Sequence, residues 1–582
     1  MAESSSSRRS ELPCHLIHHI LSFLPEKEST KASVLSKAWF RAWQTRPKLE
    51  FNASIYIFKK LQEVGNGSHL VSSLSENQKK EIYEELFKKI KKTLKPYSRG
   101  GICIDTVNLA IRQIGNLQWN PLVQKCAKGA VKNGVRNLDF CIPECDLPGI
   151  VFRAKSLVDL RVSCANITPF SVREIMCCGL KKLCLRIVNL NAETFGNIIE
   201  SCPLIEILEV GCIMGFDHFK VTKLNNLKEI TIWLLENQRV EVEAPNLELL
   251  TWHSEDVEEE EEEEEEEGVV RQMTCWITLP ALLYQNLKTL MLRNIRIMDK
   301  FFLDLARKFP SLENLRVISC KGLQRIKISN RSLKKILLMD NCELVEAQFD
   351  VPSIVSFEYY SNSDIIPQFL FAAASSGWTS FICITVWGAV ETSWFVKLKG
   401  LVAGLSQSEI SIKIQLNYSV AFDLDEIGNI ATIHEHQEVQ ELSLPIDDMF
   451  YTVPDKVSIL NGLFWVCRPN TVNTYWIETS LCNMALKSFY EMLMFRRIQD
   501  RFHDLPKTMH WQHDLMEVNV EVFKSVISPI RGYVKFGKEG KKELQQKDLD
   551  WEDFLNVLRK NGTYSRMIYF TLEWRTVICP EE

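Results

Sequence analysis

Leu180–Val210 reads LKKLCLRIVNLNAETFGNIIESCPLIEILEV, and this stretch decides the fold. Leu180-Leu183-Leu185 and Ile205-Leu208-Val210 share one pattern, apolar-x-x-apolar-x-apolar. The last two apolar side chains of each copy fall on one face of a strand. Between the copies, Asn191 to Cys202 is amphipathic at helical spacing and reads as a helix on the outer side. Apolar alternation occurs in any sheet, so one copy means little and recurrence carries the argument.

The pattern recurs in both directions. Upstream lie Val135-Leu138-Phe140 and Leu157-Leu160-Val162. Downstream lie Leu227-Ile230-Ile232, Leu247-Leu250-Trp252, Leu287-Leu290-Leu292, Leu312-Leu315-Val317, Leu333-Ile336-Leu338 and Ile354-Phe357-Tyr359. Successive steps are 20–25 residues, with one exception of 40. That period is the one expected of leucine-rich repeats. A longer period overlies it: Leu180, Pro203, Ile205 and Leu247 each recur 107 residues on, as Leu287, Pro310, Leu312 and Ile354. Met298 to Phe309 reads as a second outer helix. Phe216-Phe219-Val221 and Leu323-Ile326-Ile328 read as short return strands. The expected fold is α/β, a solenoid with mixed helical and strand return paths.

The 40-residue step holds ten glutamates, Glu258 to Glu267. Adjacent like charges repel and bury nothing, so 253–279 is expected to be an acidic, disordered insertion. Its charge also dominates the net −5 of the chain; without it the remainder is about +5. Neither value attracts nucleic acid or an anionic membrane in general. At 582 residues, 46% apolar and 25% charged, the chain is ordinary globular protein with more than one compact unit. The 18 cysteines are scattered, many within apolar runs, and the opening MAESSSSRRS lacks the apolar centre of a signal peptide. They are expected to be reduced, buried and small, in a protein of the cytoplasm or nucleus. No apolar stretch reaches the length needed to span a bilayer.

Ahead of the repeats, Glu11–Trp43 reads ELPCHLIHHILSFLPEKESTKASVLSKAWFRAW. Leu16, Ile17, Ile20, Leu21 and Leu24 are expected on one helical face, with Ser10 as cap and Pro13 in the first turn. Pro25 ends that helix, and Val34, Leu35, Trp39 and Trp43 form a second stripe. So small a group cannot hide all its apolar side chains. Either it packs on its own protein, or its surplus belongs to a partner.

This segment resembles the F-box of plant F-box/leucine-rich-repeat proteins, through Leu12-Pro13, Ile17, Ile20-Leu21, Phe23-Leu24-Pro25, Ser33 to Lys37, Trp39 and Trp43. The phrase Cys202-Pro203-Leu204-x-Glu206-x-Leu208 and the stretch Asn461 to Pro469 are similar to that family too. The sequence departs from it at Cys14-His15, where acidic residues are common, and at Ala38 and Phe40. The resemblance implies docking on a Skp-family adaptor and, through it, a cullin, with Leu12, Pro13, Ile17, Ile20, Leu24, Val34, Lys37, Trp39 and Trp43 building the module or meeting the adaptor.

The expected domains are a tail at 1–10, the F-box at 11–50, a helical linker at 51–130, repeats at 131–362 and a continuation or cap of the solenoid at 363–582. Within the last, Trp394 to Leu405, Asp455 to Cys467, Leu481 to Phe502 and Trp551 to Leu558 read as helices. Val472 to Ile477, Leu515 to Val522 and Met567 to Trp574 read as strands.

Enzyme motifs are scarce: there is no Gly-rich phosphate loop, Gly-x-Ser-x-Gly or His-Glu-x-x-His. Cys141 and Cys145 lack a second pair, and His434-Glu435-His436, His510 and His513 lack a third ligand, so no metal or other cofactor is expected. The reading is a non-catalytic subunit that selects a target protein for an SCF ubiquitin ligase. The alternative is a solenoid scaffold that recruits no ligase. Target binding is expected on the concave face, at Arg161, Arg186, Trp233, His253, Arg293, Arg316 and Tyr360, because arginine and aromatic residues anchor interfaces.

Overall fold

The structure is a computed structural model. It describes residues 12–575 except 65–73, 98–102, 112–118, 236–237, 255–275, 279–283, 374–376, 418–419, 424–425, 427–436, 446–452, 495–510, 512–513, 525–541, 547–550 and 560–564. The N-terminal tail, the glutamate run, His434-Glu435-His436, His510 and His513 therefore lie outside the described residues. The chain divides into two compact units, 1–287 and 288–582.

Unit 1 carries β1 (Lys48–Asn52), β2 (Thr106–Ala110), β3 (Asn137–Asp146), β4 (Asp159–Asn166), β5 (Lys182–Arg186), β6 (Ile207–Gly211), β7 (His218–Val221), β8 (Glu229–Leu234), β9 (Arg239–Val242), β10 (Leu249–Ser254) and β11 (Trp276–Thr278). The main sheet is parallel throughout, in the order β1-β2-β3-β4-β5-β6-β8-β10. Leu138, Leu160, Leu183, Leu208, Ile230 and Leu250 stand in register across it, all buried. Strands β7, β9 and β11 form the return sheet, and Ala192–Ser201 is a return helix. Asn191 caps that helix by accepting from the Thr194 N–H at 2.8 Å.

The ladder starts earlier than the repeat spacing indicates. β1 and β2 precede residue 131, and β10 extends to Ser254, into the span expected to be an insertion. β1 and β2 are hard to see as repeats because two helices, Ser54–Val64 and Glu76–Leu94, lie between them. A capping box starts the second helix, with the Ser75 and Gln78 side chains each bonding the other's backbone.

In unit 2 the strands are β12 (Thr289–Arg293), β13 (Asn314–Ile318), β14 (Arg325–Ser329), β15 (Lys335–Met339), β16 (Glu346–Asp350), β17 (Ser356–Ser361), β18 (Gln368–Ala373), β19 (Thr379–Val386), β20 (Glu409–Leu416), β21 (Gln437–Ser443), β22 (Cys467–Ile477), β23 (Leu515–Lys524), β24 (Lys542–Gln546) and β25 (Ser565–Trp574). Its main sheet runs parallel through β12-β13-β15-β17-β19-β20-β21-β22. It then turns antiparallel through β25, β23 and β24. The C-terminal region thus both continues the parallel ladder and ends it with a different pairing. Return strands β14, β16 and β18 lie behind, over an aromatic core of Phe349, Phe357, Phe369, Phe371 and Trp378.

One expectation is corrected here. Met298 to Phe309 is not one helix but a 3₁₀ turn, Asp299–Phe301, and a single α turn, Leu305–Lys308. The helix read over Asp455 to Cys467 is Val453–Val466, and Pro469 lies inside β22. The helix read over Leu481 to Phe502 is present as Ser480–Met494, and 495–502 lie outside the described residues.

Two recurring devices hold the turns. Ser156, Asn226, Asn246, Asn286 and Ser332 each precede the first apolar residue of a repeat, and each donates a side-chain hydrogen bond to a carbonyl of the previous turn at 2.7–3.2 Å. The other device is a column of left-handed residues seven positions after that apolar residue: Cys164, Ile187, Cys212, Asn294, Ser319 and Asp340, with φ between 50° and 59°. Asparagine and aspartate tolerate this conformation, but a β-branched residue is strained in it. Ile187→Asn is therefore expected to raise stability by about 1 kcal/mol in urea unfolding. Ile187 is about half exposed, so only part of its burial is lost in exchange.

Candidate docking surfaces

The N-terminal module is three short helices, α1 (Cys14–Phe23), α2 (Glu26–Ala32) and α3 (Lys37–Gln44). Ile17, Leu21 and Ala42 form its core, with Leu24, Ala32, Ala38, Trp39 and Trp43 packed against them. The expectation of one apolar face on α1 is corrected: the helix has two. Ile17, Leu21 and Leu24 point inward, while Leu12, Leu16, Ile20 and Phe23, at steps of four, four and three, stay exposed. Nor do Val34 and Leu35 belong to the stripe of α3. Ser36 caps α3, accepting from the N–H groups of Ala38 and Trp39 at 3.2 and 3.3 Å, so both residues fall in the turn before it. They are 84% and 66% exposed, and Phe23 is 75% exposed. Apolar side chains this bare, clustered in so small a module, are surplus to its own core.

Structure thus separates the jobs that the sequence left mixed. Ile17 lies in the core, and Leu24, Trp39 and Trp43 are partly buried against it. Leu12, Pro13, Ile20, Val34 and Lys37 are exposed. Leu16, Phe23, Leu35 and Phe40, which sequence reasoning did not single out as contact residues, are exposed as well; the second face of α1 was the signal for the first two.

The module is tied to the solenoid through Arg46. Its guanidinium lies 5.0 Å from the centre of the Trp43 ring and donates to the Trp43 carbonyl at 3.1 Å. The buried Tyr97 hydroxyl donates to the Arg46 carbonyl at 2.5 Å, and burial pushes the phenol pKa up. On α1, His18 meets the Thr45 hydroxyl at 3.0 Å. Desolvation lowers the His18 pKa below its usual 6.5, against a smaller upward pull from a backbone hydrogen bond with Ala42. A histidine depressed in the folded state contributes stability above its unfolded pKa and loses it as pH falls. The module should therefore unfold more readily at pH 5 than at pH 7.5, and His18→Gln should flatten that dependence in a pH series of thermal melts.

A second candidate is the sheet face turned away from the core. In unit 1, Arg161 pairs with Asp159 at 3.7 Å and Lys182 with Glu209 at 2.9 Å. Asp139, beside them, has its carboxyl pKa raised, chiefly by desolvation. In the next row, Arg186, Gly211, Trp233 and His253 stand side by side on β5, β6, β8 and β10. The Arg186 guanidinium stacks 4.1 Å from the Trp233 ring centre, and the Trp233 and His253 rings meet edge-on at 6.4 Å. Gly211 makes the stack possible, since a Cβ there would lie 2.9 Å from Trp233 Cε3. In unit 2, Arg293 and Arg316 are exposed, and the Tyr360 hydroxyl donates to Glu358 at 3.1 Å. The structure thus brings Arg186, Trp233 and His253 together, and places Arg293, Arg316 and Tyr360 in unit 2.

Among the described residues no group of three or more His, Cys, Asp or Glu is placed to hold a metal ion. No disulfide joins the described cysteines, of which Cys126, Cys177, Cys202, Cys320 and Cys467 are among the buried ones. No described helix is long and apolar enough to cross a membrane.

Comparison with known proteins agrees with this architecture. Residues 9–51 match the F-box domain model, and residues 123–271 match the model described as FBD-associated F-box protein At5g56370, LRR repeats. Similar Arabidopsis thaliana proteins include the putative F-box/LRR-repeat protein At3g49150, 27% identical over 256 residues, covering 42% of this chain and 37% of that protein. F-box/LRR-repeat protein At3g59200 is 26% identical over 261 residues, covering 43% and 46%. F-box/LRR-repeat protein At3g59250 is 27% identical over 253 residues, covering 42% and 47%. The chain therefore spans less than half the length of these relatives. With a match to the F-box at its N-terminus and to leucine-rich repeats behind it, the chain is similar, in domain order and in sequence, to the plant F-box/leucine-rich-repeat proteins.

Proposed function

We propose that this chain is the substrate-recognition subunit of an SCF-type (cullin-RING) ubiquitin ligase, acting in the cytoplasm or nucleus. The observation that carries the reading is the bare apolar surface of the F-box, formed by Leu12, Leu16, Ile20, Phe23, Val34 and Leu35. An F-box generally docks on a Skp-type adaptor, and this surface is the part of the module with side chains to spare. The open sheet face would hold the target protein. Such a subunit supplies no catalytic residue. It raises the effective concentration of a target lysine near ubiquitin carried by another subunit, and it fixes the orientation.

Co-purification of the full chain with a recombinant Skp-type adaptor and cullin is the test. A stoichiometric complex supports the reading. A folded chain that binds no adaptor overturns it and leaves a scaffold without ligase recruitment.

A further inference from the structure

The open face of unit 2 differs in chemistry from that of unit 1. In unit 1, Arg161 and Lys182 are both spent on carboxylates of the same face. In unit 2, Arg293 and Arg316 are exposed, and among the described residues neither pairs with a carboxylate. Beside them the face is apolar. Arg316, Leu337, Glu358 and Phe381 stand in one row across β13, β15, β17 and β19. Ile318, Met339 and Tyr360 stand in the next, with Arg293 at its β12 end. The Tyr360 and Phe381 rings meet across strands at 5.6 Å. From β12 to β19 the one carboxylate in these two rows is Glu358, which accepts from Tyr360; Glu441 stands further along the first row, on β21.

From this juxtaposition we infer that unit 2 binds an extended segment of the target protein that carries a carboxylate followed by two apolar side chains, in the order acidic-x-apolar-x-apolar. This inference rests on the open-face reading above and names its partner. The spacing follows from sheet geometry. Strands lie about 4.8 Å apart, so Arg316 and Phe381 are separated by about 14 Å. An extended peptide covers that distance in about four residues, and residues i, i+2 and i+4 share one face. The carboxylate meets the guanidinium of Arg316, with Arg293 beside it, in a charge-assisted hydrogen bond. The second side chain lies over Leu337 and Met339, and the third reaches Tyr360 and Phe381. Arginine with aromatic and methionine side chains is the composition of interface anchors.

The test uses the full chain and fluorescein-labelled peptides of about twelve residues with Glu-x-Leu-x-Phe at the centre, read by fluorescence polarisation. Against it are set the same peptide with Lys for Glu, and one with serine at both apolar positions. The Glu peptide should bind at least about tenfold tighter than either. Arg293→Glu/Arg316→Glu should reverse the charge preference, so that the Lys peptide binds better. That exchange cannot come from damaged folding. Equal binding of Glu and Lys peptides, an unchanged preference in the double variant, or no binding of the Glu peptide at about 1 mM overturns the inference. Should the preference survive the double variant but vanish in Arg186→Glu, the open face remains the receptor surface and only this assignment fails. Should neither variant matter, the open-face reading fails with it.

Discussion

Leu208→Ala should cost about 2–5 kcal/mol, and Leu290→Ala about the same. Both side chains are essentially inaccessible, and each stands in a row of buried apolar residues contributed by neighbouring strands. The loss has two parts, the transfer energy of the missing methyl groups and the cavity that a rigid ladder cannot close. A surface ion pair gives the contrast. Glu206 accepts from Lys181 at 2.8 Å and Lys228 at 3.0 Å, and those hydrogen bonds hold its carboxyl down at about 2. It lies part-exposed at the surface, so solvent screens it and Glu206→Gln should leave stability nearly unchanged. Because each turn touches only its neighbours, Leu208→Ala should first speed amide exchange in β5, β6 and β8. Urea unfolding together with hydrogen exchange checks both statements. A Leu208→Ala protein as stable as wild type would remove the basis for reading these turns as one packed ladder.

Every apolar-x-x-apolar-x-apolar copy proposed from the sequence coincides with a main-sheet strand of its unit. The reason is physical. Leu183 and Leu185 must enter the core while Cys184 and Arg186 turn away from it, and that alternation repeats at the length of one turn. β1 and β2 escaped the pattern because long helices separate them, so no fixed step connects Leu49-Phe51 with Val107-Leu109. Side-chain neighbours were less legible than strands. The Arg186–Trp233 stack depends on a glycine between them in register, and register is not written in either strand alone. Likewise the Leu12-to-Leu24 stretch shows an apolar helix, but its division into an inner and an outer face depends on where α3 packs.

Val34→Ala/Leu35→Ala should leave the F-box folded and weaken adaptor binding by about a hundredfold or more, if the ligase reading holds. Both side chains sit in the turn ahead of α3, outside the core formed by Ile17, Leu21 and Ala42. Burying an apolar side chain of this size against a partner is worth about 1.5–3 kcal/mol. Two such losses come to roughly 3 kcal/mol or more, which is at least about a hundredfold in affinity. Leu12→Ala/Pro13→Ala, at the exposed start of α1, should act in the same direction. Ile17→Ala should behave differently: it empties the core, so adaptor binding should fall because the module melts. Circular dichroism of the isolated variants and titration with the purified adaptor separate the two mechanisms. Folding retained with binding lost places the docking contact on the turn and the outer face of α1. A folded Val34→Ala/Leu35→Ala protein that binds the adaptor as wild type does moves the contact elsewhere on the module, and a wild type that does not bind ends the ligase reading.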